Sequence, residues 1–144
     1  MKQQDYQCSF IAPVTPEEAL RGIGDVSAWW AKDFMGQAHL LHDTFTVRWG
    51  ETFVDFEITE LVPGKKVVWS VTDCYLPWQN DKHEWTGTRV SWEVAPVENG
   101  TRVLMTHHGL HPEVECYEGC RKGWNHHAGE SLSKFLTDRV GMPA

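Results

Sequence analysis

The sequence predicts an α+β domain. A curved antiparallel sheet of about six strands packs on one long C-terminal helix, and two short helices follow the first strand. Three observations lead to this. Successive segments between Thr44 and His107 alternate apolar and polar residues with period two. Turn signals separate them. From Val114 onward the apolar residues recur instead at spacings of three and four, the period of an amphipathic helix.

Taken in order, Tyr6, Cys8 and Phe10 alternate with Gln7 and Ser9 and predict a short strand that Pro13 ends. Thr15-Pro16-Glu17-Glu18 reads as a helix start, with Thr15 as cap, Pro16 at the first helical position and Glu18 closing a capping box. Gly22 and Gly24 keep this helix short. Asp25 is placed to cap a second short helix carrying Val26, Trp29 and Trp30.

The middle of the chain predicts a strand meander. Phe45, Val47 and Trp49 share one face, followed by a turn at Gly50-Glu51 and by Val54, Phe56 and Ile58. Val62-Pro63-Gly64-Lys65 suits a type II turn, which places Pro and Gly where the backbone needs them. Val67, Trp69 and Val71 make the next face. The segment Asp73 to Trp85 breaks the pattern and reads as a loop. Val90, Trp92 and Val94 resume it, Asn99-Gly100 signals a hairpin, and Val103, Met105 and His107 line the last strand. Pro112-Glu113 is placed to open the final helix of roughly 20 residues, striped by Val114, Tyr117, Cys120, Trp124, Ala128, Leu132 and Phe135.

Only that helix is long enough to cover the apolar sheet face, so it lies across the sheet. A twisted sheet on a single helix tends to leave space between them. Alternation points Trp49, Phe56, Trp69, Trp92, Met105 and His107 toward that space, and the helix stripe adds Trp124. These are the candidate ligand-binding residues, and they describe an aromatic, apolar pocket.

The 144 residues suit a single domain spanning 1–144. A net charge of −7 repels phosphate backbones and anionic lipid, which argues against nucleic-acid and membrane partners. The opening MKQQDYQCSF lacks the apolar core of an export signal, so a cytoplasmic location and free thiols are the expectation for Cys8, Cys74, Cys116 and Cys120. No phosphate loop, nucleophile elbow or H-E-x-x-H motif is present, so no cofactor is expected and no catalytic residue is assigned.

The order of elements resembles the helix-grip fold of the START and Bet v 1 superfamily. Ala12 to Glu18 followed by Trp29-Trp30, the stretch Phe56 to Trp69, Gly100 to Leu110, and Gly123-Trp124 leading to Ser131-Leu132 are similar to the Hsp90-ATPase-activator homologue branch of bacterial SRPBCC proteins. The resemblance covers nearly the whole chain. It implies the helix-grip fold, and it allows roles ranging from ligand carrier to cyclase to co-chaperone domain.

Individual residues sharpen these options. His107 on an apolar face would orient a ligand, act as acid or base, or bond a backbone carbonyl as a core histidine. Cys116 and Cys120 share a helix face near His107, His108 and His111, but the spacing is not a recognised zinc pattern and no metal site is assigned. His126 and His127 are expected on the solvated surface. Tyr75, Leu76, Trp78 and Trp85 in the aromatic loop suit a lid or a partner surface, or a loop tucked under its own side chains. His83 and Glu84 do not make a catalytic pair.

The expected function is therefore binding of a small hydrophobic or amphipathic molecule. A protein-interaction domain and a cyclase- or hydrolase-type enzyme using His107 are the alternatives. An exposed edge strand or the aromatic loop would support a homodimer.

Overall fold

A computed structural model describes residues 4–144. The first three residues of the stretch read for an export signal lie outside them. The elements run β1 (Tyr6–Ala12), α1 (Pro16–Gly24), α2 (Val26–Trp29), β2 (Asp33–Gly36), β3 (Thr44–Trp49), β4 (Thr52–Val62), β5 (Lys66–Tyr75), β6 (Arg89–Val97) and β7 (Gly100–His108). The C-terminal helix is continuous but changes pitch: α3 (Tyr117–Trp124), a π-helical stretch (Asn125–Leu132) and α4 (Ser133–Asp138).

The strands form one antiparallel sheet in the order β1-β7-β6-β5-β4-β3-β2. It has seven strands, where the alternation pattern predicts about six. The additional strand is β2, four residues at the sheet edge, of which only Phe34 is even half-buried. So short an edge strand carries no alternation to read. Register shifts in the β4–β5 ladder, between Asp55 and Phe56 and between Ile58 and Glu60, mark bulges, which bend and twist a strand locally.

Local chemistry forms most elements as expected. Glu18 N–H donates to Thr15 Oγ1 and Thr15 N–H donates to Glu18 Oε1, both at 3.1 Å, completing the capping box. Gly64 adopts φ +70° at the third position of its turn, where Lys65 N–H bonds Val62 carbonyl at 2.9 Å. Asp25 stands before α2, but its carboxylate pairs with His39 Nε2 at 3.1 Å instead of capping the helix.

The sheet face predicted to be apolar is buried. Val54, Phe56, Ile58, Trp69, Val90, Trp92, Val103, Met105 and His107 are each at most 1% exposed. Trp29 and Trp30 fold under this face from α2. Trp29 packs on Trp69 at 6.5 Å and edge-on to Trp92 at 5.6 Å between ring centroids.

Two expectations about the final helix need correction. It begins at Tyr117, not near Pro112, because residues 111–117 close tight turns: Val114 N–H bonds His111 carbonyl and Tyr117 N–H bonds Val114 carbonyl. The buried stripe also shifts phase. Trp124, Ala128 and Leu132 face the core as expected, but Leu136 is buried in place of Phe135, which is half-buried. The π-helical stretch supplies the reason, since its wider turn moves later side chains round the axis.

Candidate functional site

A cavity of about 380 Å³ opens at one end of the sheet. It lies between the β3–β4 hairpin, the loop that follows β5, and the C-terminal helix. Trp49, Thr52 and Val54 come from the hairpin, Leu76, Trp78 and Trp85 from the loop, and Trp30 from the end of α2. The helix contributes Gly119, Cys120, Gly123, Trp124 and His127. The volume falls within the usual range for small-molecule sites, and the lining is dominated by indole rings.

Apart from His107, the predicted site residues divide into two groups. Trp49 and Trp124 line the cavity. Phe56, Trp69, Trp92 and Met105 fill the packed core behind it, with Trp69 and Trp92 centroids 5.2 Å apart. Trp30 joins the layers, meeting Trp124 at 4.9 Å, Trp49 at 5.5 Å and Trp69 at 6.2 Å. Sequence reasoning missed Trp30, Leu76, Trp78, Trp85 and His127 as lining residues. The paired Trp29-Trp30 was the available signal, since neighbours on a short helix face different ways. So was the density of apolar residues in the loop.

His107 lies behind the cavity wall and is fully buried. Trp124 Nε1–H donates to His107 Nδ1 at 3.1 Å. An acceptor Nδ1 puts the ring proton on Nε2, which then donates to Thr88 Oγ1 at 2.9 Å. The Thr88 hydroxyl donates in turn to Trp85 carbonyl at 2.6 Å. Both ring nitrogens are thus committed. Burial, with a smaller effect from nearby His108, pushes the His107 pKa down to about 3, so the ring is neutral at physiological pH. This geometry suits a core histidine that positions two wall indoles, and it leaves no nitrogen free for proton transfer.

The loop beyond β5 starts later than the broken pattern implies, running over residues 76–88. β5 continues through Tyr75, and Cys74 is fully buried opposite Val54. Leu76 N–H bonds Lys82 carbonyl at 2.8 Å, closing the loop on itself. Trp85 and Leu76 tuck inward, while Trp78 is 62% exposed at the rim. Glu84 accepts the N–H groups of Glu115 and Cys116, each at 3.0 Å. The Glu115 carboxylate accepts those of Asn80 and Asp81 at 2.9 and 3.2 Å. The loop and the approach to α3 therefore bond reciprocally across the cavity rim.

Two further expectations change here. His127 is half-buried in the cavity wall, not on the solvated surface, and burial followed by the charge of His126 lowers its pKa to about 4. Its Nδ1 has no hydrogen-bond partner among the described residues. Cys116 and Cys120 are joined as a disulfide, with Cα atoms 5.6 Å apart, in place of the free thiols expected. Cys116 stands just before α3 and Cys120 within its first turn, so the chain brings them together without strand or loop rearrangement. Cys8 and Cys74 are free. Among the described residues, no three His, Cys, Asp or Glu side chains converge on a metal-sized space.

Among the described residues, no helix is long and apolar enough to cross a membrane. A search of curated proteins finds no match. Solved structures of the same fold are numerous. The Aha1 dimer of Colwellia psychrerythraea is 25% identical, with a TM-score of 0.74 over 94% of this chain and 96% of that one. Protein MLL2253 of Mesorhizobium loti is 18% identical, with a TM-score of 0.74 over 96% and 100% of the two chains. CalU16 of Micromonospora echinospora is 14% identical, with a TM-score of 0.66 over 90% and 72%. The latter two support the fold alone. The family model described as Activator of Hsp90 ATPase homolog 1-like protein matches residues 25–137, well over half of the sequence, and the chain belongs to that helix-grip family.

Proposed function

We propose that the protein binds a small hydrophobic or amphipathic molecule, without catalysis, in the cavity between the β3–β4 hairpin, the aromatic loop and the C-terminal helix. The observation that carries this reading is the cavity itself, about 380 Å³ walled by Trp30, Trp49, Trp78, Trp85 and Trp124. Indole walls give a ligand large apolar contact and stacking surfaces. They offer no charged group to stabilise a reacting centre. His107 is bonded on both nitrogens, which weighs against the enzyme reading.

Native mass spectrometry beside a denatured control tests the proposal. A retained mass that is lost on denaturation is the expected result, and it identifies the ligand. A bare chain that also leaves tryptophan emission unchanged on titration with apolar aromatic probes would count against it.

A second reading, a protein-interaction domain, draws on the family and on the exposed side chains Met35, Leu40 and Leu41 near the β2 edge, at 66%, 66% and 46% exposure. The Colwellia Aha1 structure is a dimer, which supports a homodimer here. Light scattering on the eluting protein decides between one and two copies.

A further inference from the structure

Cys116 and Cys120 join the cavity wall to the loop that rims it. Cys120 lines the cavity, and Cys116 Sγ accepts the indole N–H of Trp85 at 3.2 Å. Trp85 in turn stacks on Trp124 at 5.9 Å with 7° between the ring planes. The state of the sulfur pair and the position of one aromatic wall are therefore coupled through direct contact. Cys8 and Cys74 have no such partner and serve as internal references.

The pair also has the chemistry of a reversible bond. It spans four residues. A bond closing so short a loop removes little entropy from the unfolded chain, so opening it need not unfold the protein. Its two side chains are unequally placed for attack. Both are buried, Cys116 at 5% and Cys120 at 9% exposure, but Cys116 is covered by Trp85 whereas Cys120 lines the cavity.

We propose that Cys116–Cys120 is a thiol–disulfide switch that sets the Trp85 wall of the cavity. The thiolate of a small monothiol attacks Cys120 Sγ, and the Cys116–Cys120 bond breaks as the mixed disulfide forms. Cys116 leaves as a thiolate and takes up a proton. A second monothiol thiolate attacks the outer sulfur, releasing Cys120 as a thiolate, which is also protonated, and the reagent departs as its own disulfide. Two monothiols supply the two electrons. The protein sulfurs then move from a bond of about 2 Å to non-bonded contact. Both are buried, so the extra space comes from displacing Trp85 or from the cavity volume. The ligand consequence rests on the proposed cavity function; the switch itself does not.

The test compares wild type equilibrated with glutathione disulfide, wild type reduced with dithiothreitol, and the Cys116→Ser/Cys120→Ser double variant. Iodoacetamide labelling under denaturing conditions, read by mass, should modify two cysteines in the oxidised protein and all four after reduction. Reduction should change tryptophan emission and weaken binding of the apolar probe N-phenyl-1-naphthylamine by about tenfold. The double variant should match the reduced protein and ignore the reagent. Four labels after glutathione disulfide treatment would overturn the proposal. So would identical emission and identical probe affinity in the two wild-type states, a comparison that stands even if the variant misfolds. Probe binding in neither state, with emission still redox-dependent, would remove the cavity function and support the switch.

Discussion

Trp124 and Trp85 lie nearly parallel, 5.9 Å between centroids, and His107 stands edge-on to both, 6.0 Å from Trp124 and 4.6 Å from Trp85. The same histidine accepts a hydrogen bond from the Trp124 indole and reaches the Trp85 backbone through Thr88. One buried ring thus sets the positions of two cavity walls that arrive from distant parts of the chain.

His107→Ala should therefore cost about 2–4 kcal/mol, because it leaves a core cavity and an unpaired buried indole N–H. Urea unfolding measures it. A loss below about 0.5 kcal/mol, the scatter of surface substitutions, would show that the relay does not hold the wall.

The folded protein keeps His107 neutral with its pKa lowered to about 3, whereas the unfolded chain titrates near 6.5. The stability this contributes is fully present above pH 6.5 and is lost as pH falls toward 3, because only the unfolded state takes up the proton in that window. The slope from His107 is about 1.4 kcal/mol per pH unit. His127, lowered to about 4, adds in the same direction over a narrower window. Denaturant midpoints measured from pH 8 to pH 4 should be flat and then fall. A His107→Gln variant should show a shallower decline.

Gly119 and Gly123 line the cavity, and a Cβ built on either meets no atom within 4 Å. Replacing each with Ala should raise stability by roughly 0.5–1 kcal/mol through helix propensity. Gly123→Leu should fill the cavity and abolish probe binding while the protein stays folded. Thermal unfolding and a fluorescence titration separate the two effects. Unchanged probe affinity in Gly123→Leu would place the binding site elsewhere.

Glu84→Ala removes the acceptor for the N–H groups of Glu115 and Cys116. Loss of a comparable helix cap costs about 0.5–2 kcal/mol. Limited proteolysis should then nick the loop around residues 76–87 faster than in wild type. An unchanged cleavage rate would mean that the Glu115 bonds to Asn80 and Asp81 are enough to hold it.

Much of the fold was legible because period-two burial leaves a local record. Phe56 sits mid-strand between Asp55 and Glu57, and Trp92 between Ser91 and Glu93, and both rings are buried as alternation requires. The capping box at Thr15 and the turn at Gly64 are equally local. β2 was not legible because an exposed edge strand needs no apolar face. The helix phase after Trp124 was not legible because widening to π geometry changes the period without a residue to announce it.

By itself, the sequence determined the strand meander, the helix after it and the apolar character of the face between them, since all three follow from spacing along the chain. Only the tertiary structure decided which aromatic residues wall the cavity and which fill the core behind it. It also decided that His107 bonds Trp124 and Thr88, and that Cys116 meets both Cys120 and Trp85. Those pairings depend on how the sheet bends and where the loop after β5 folds back, and neither bend nor loop path has a periodic signature in the sequence.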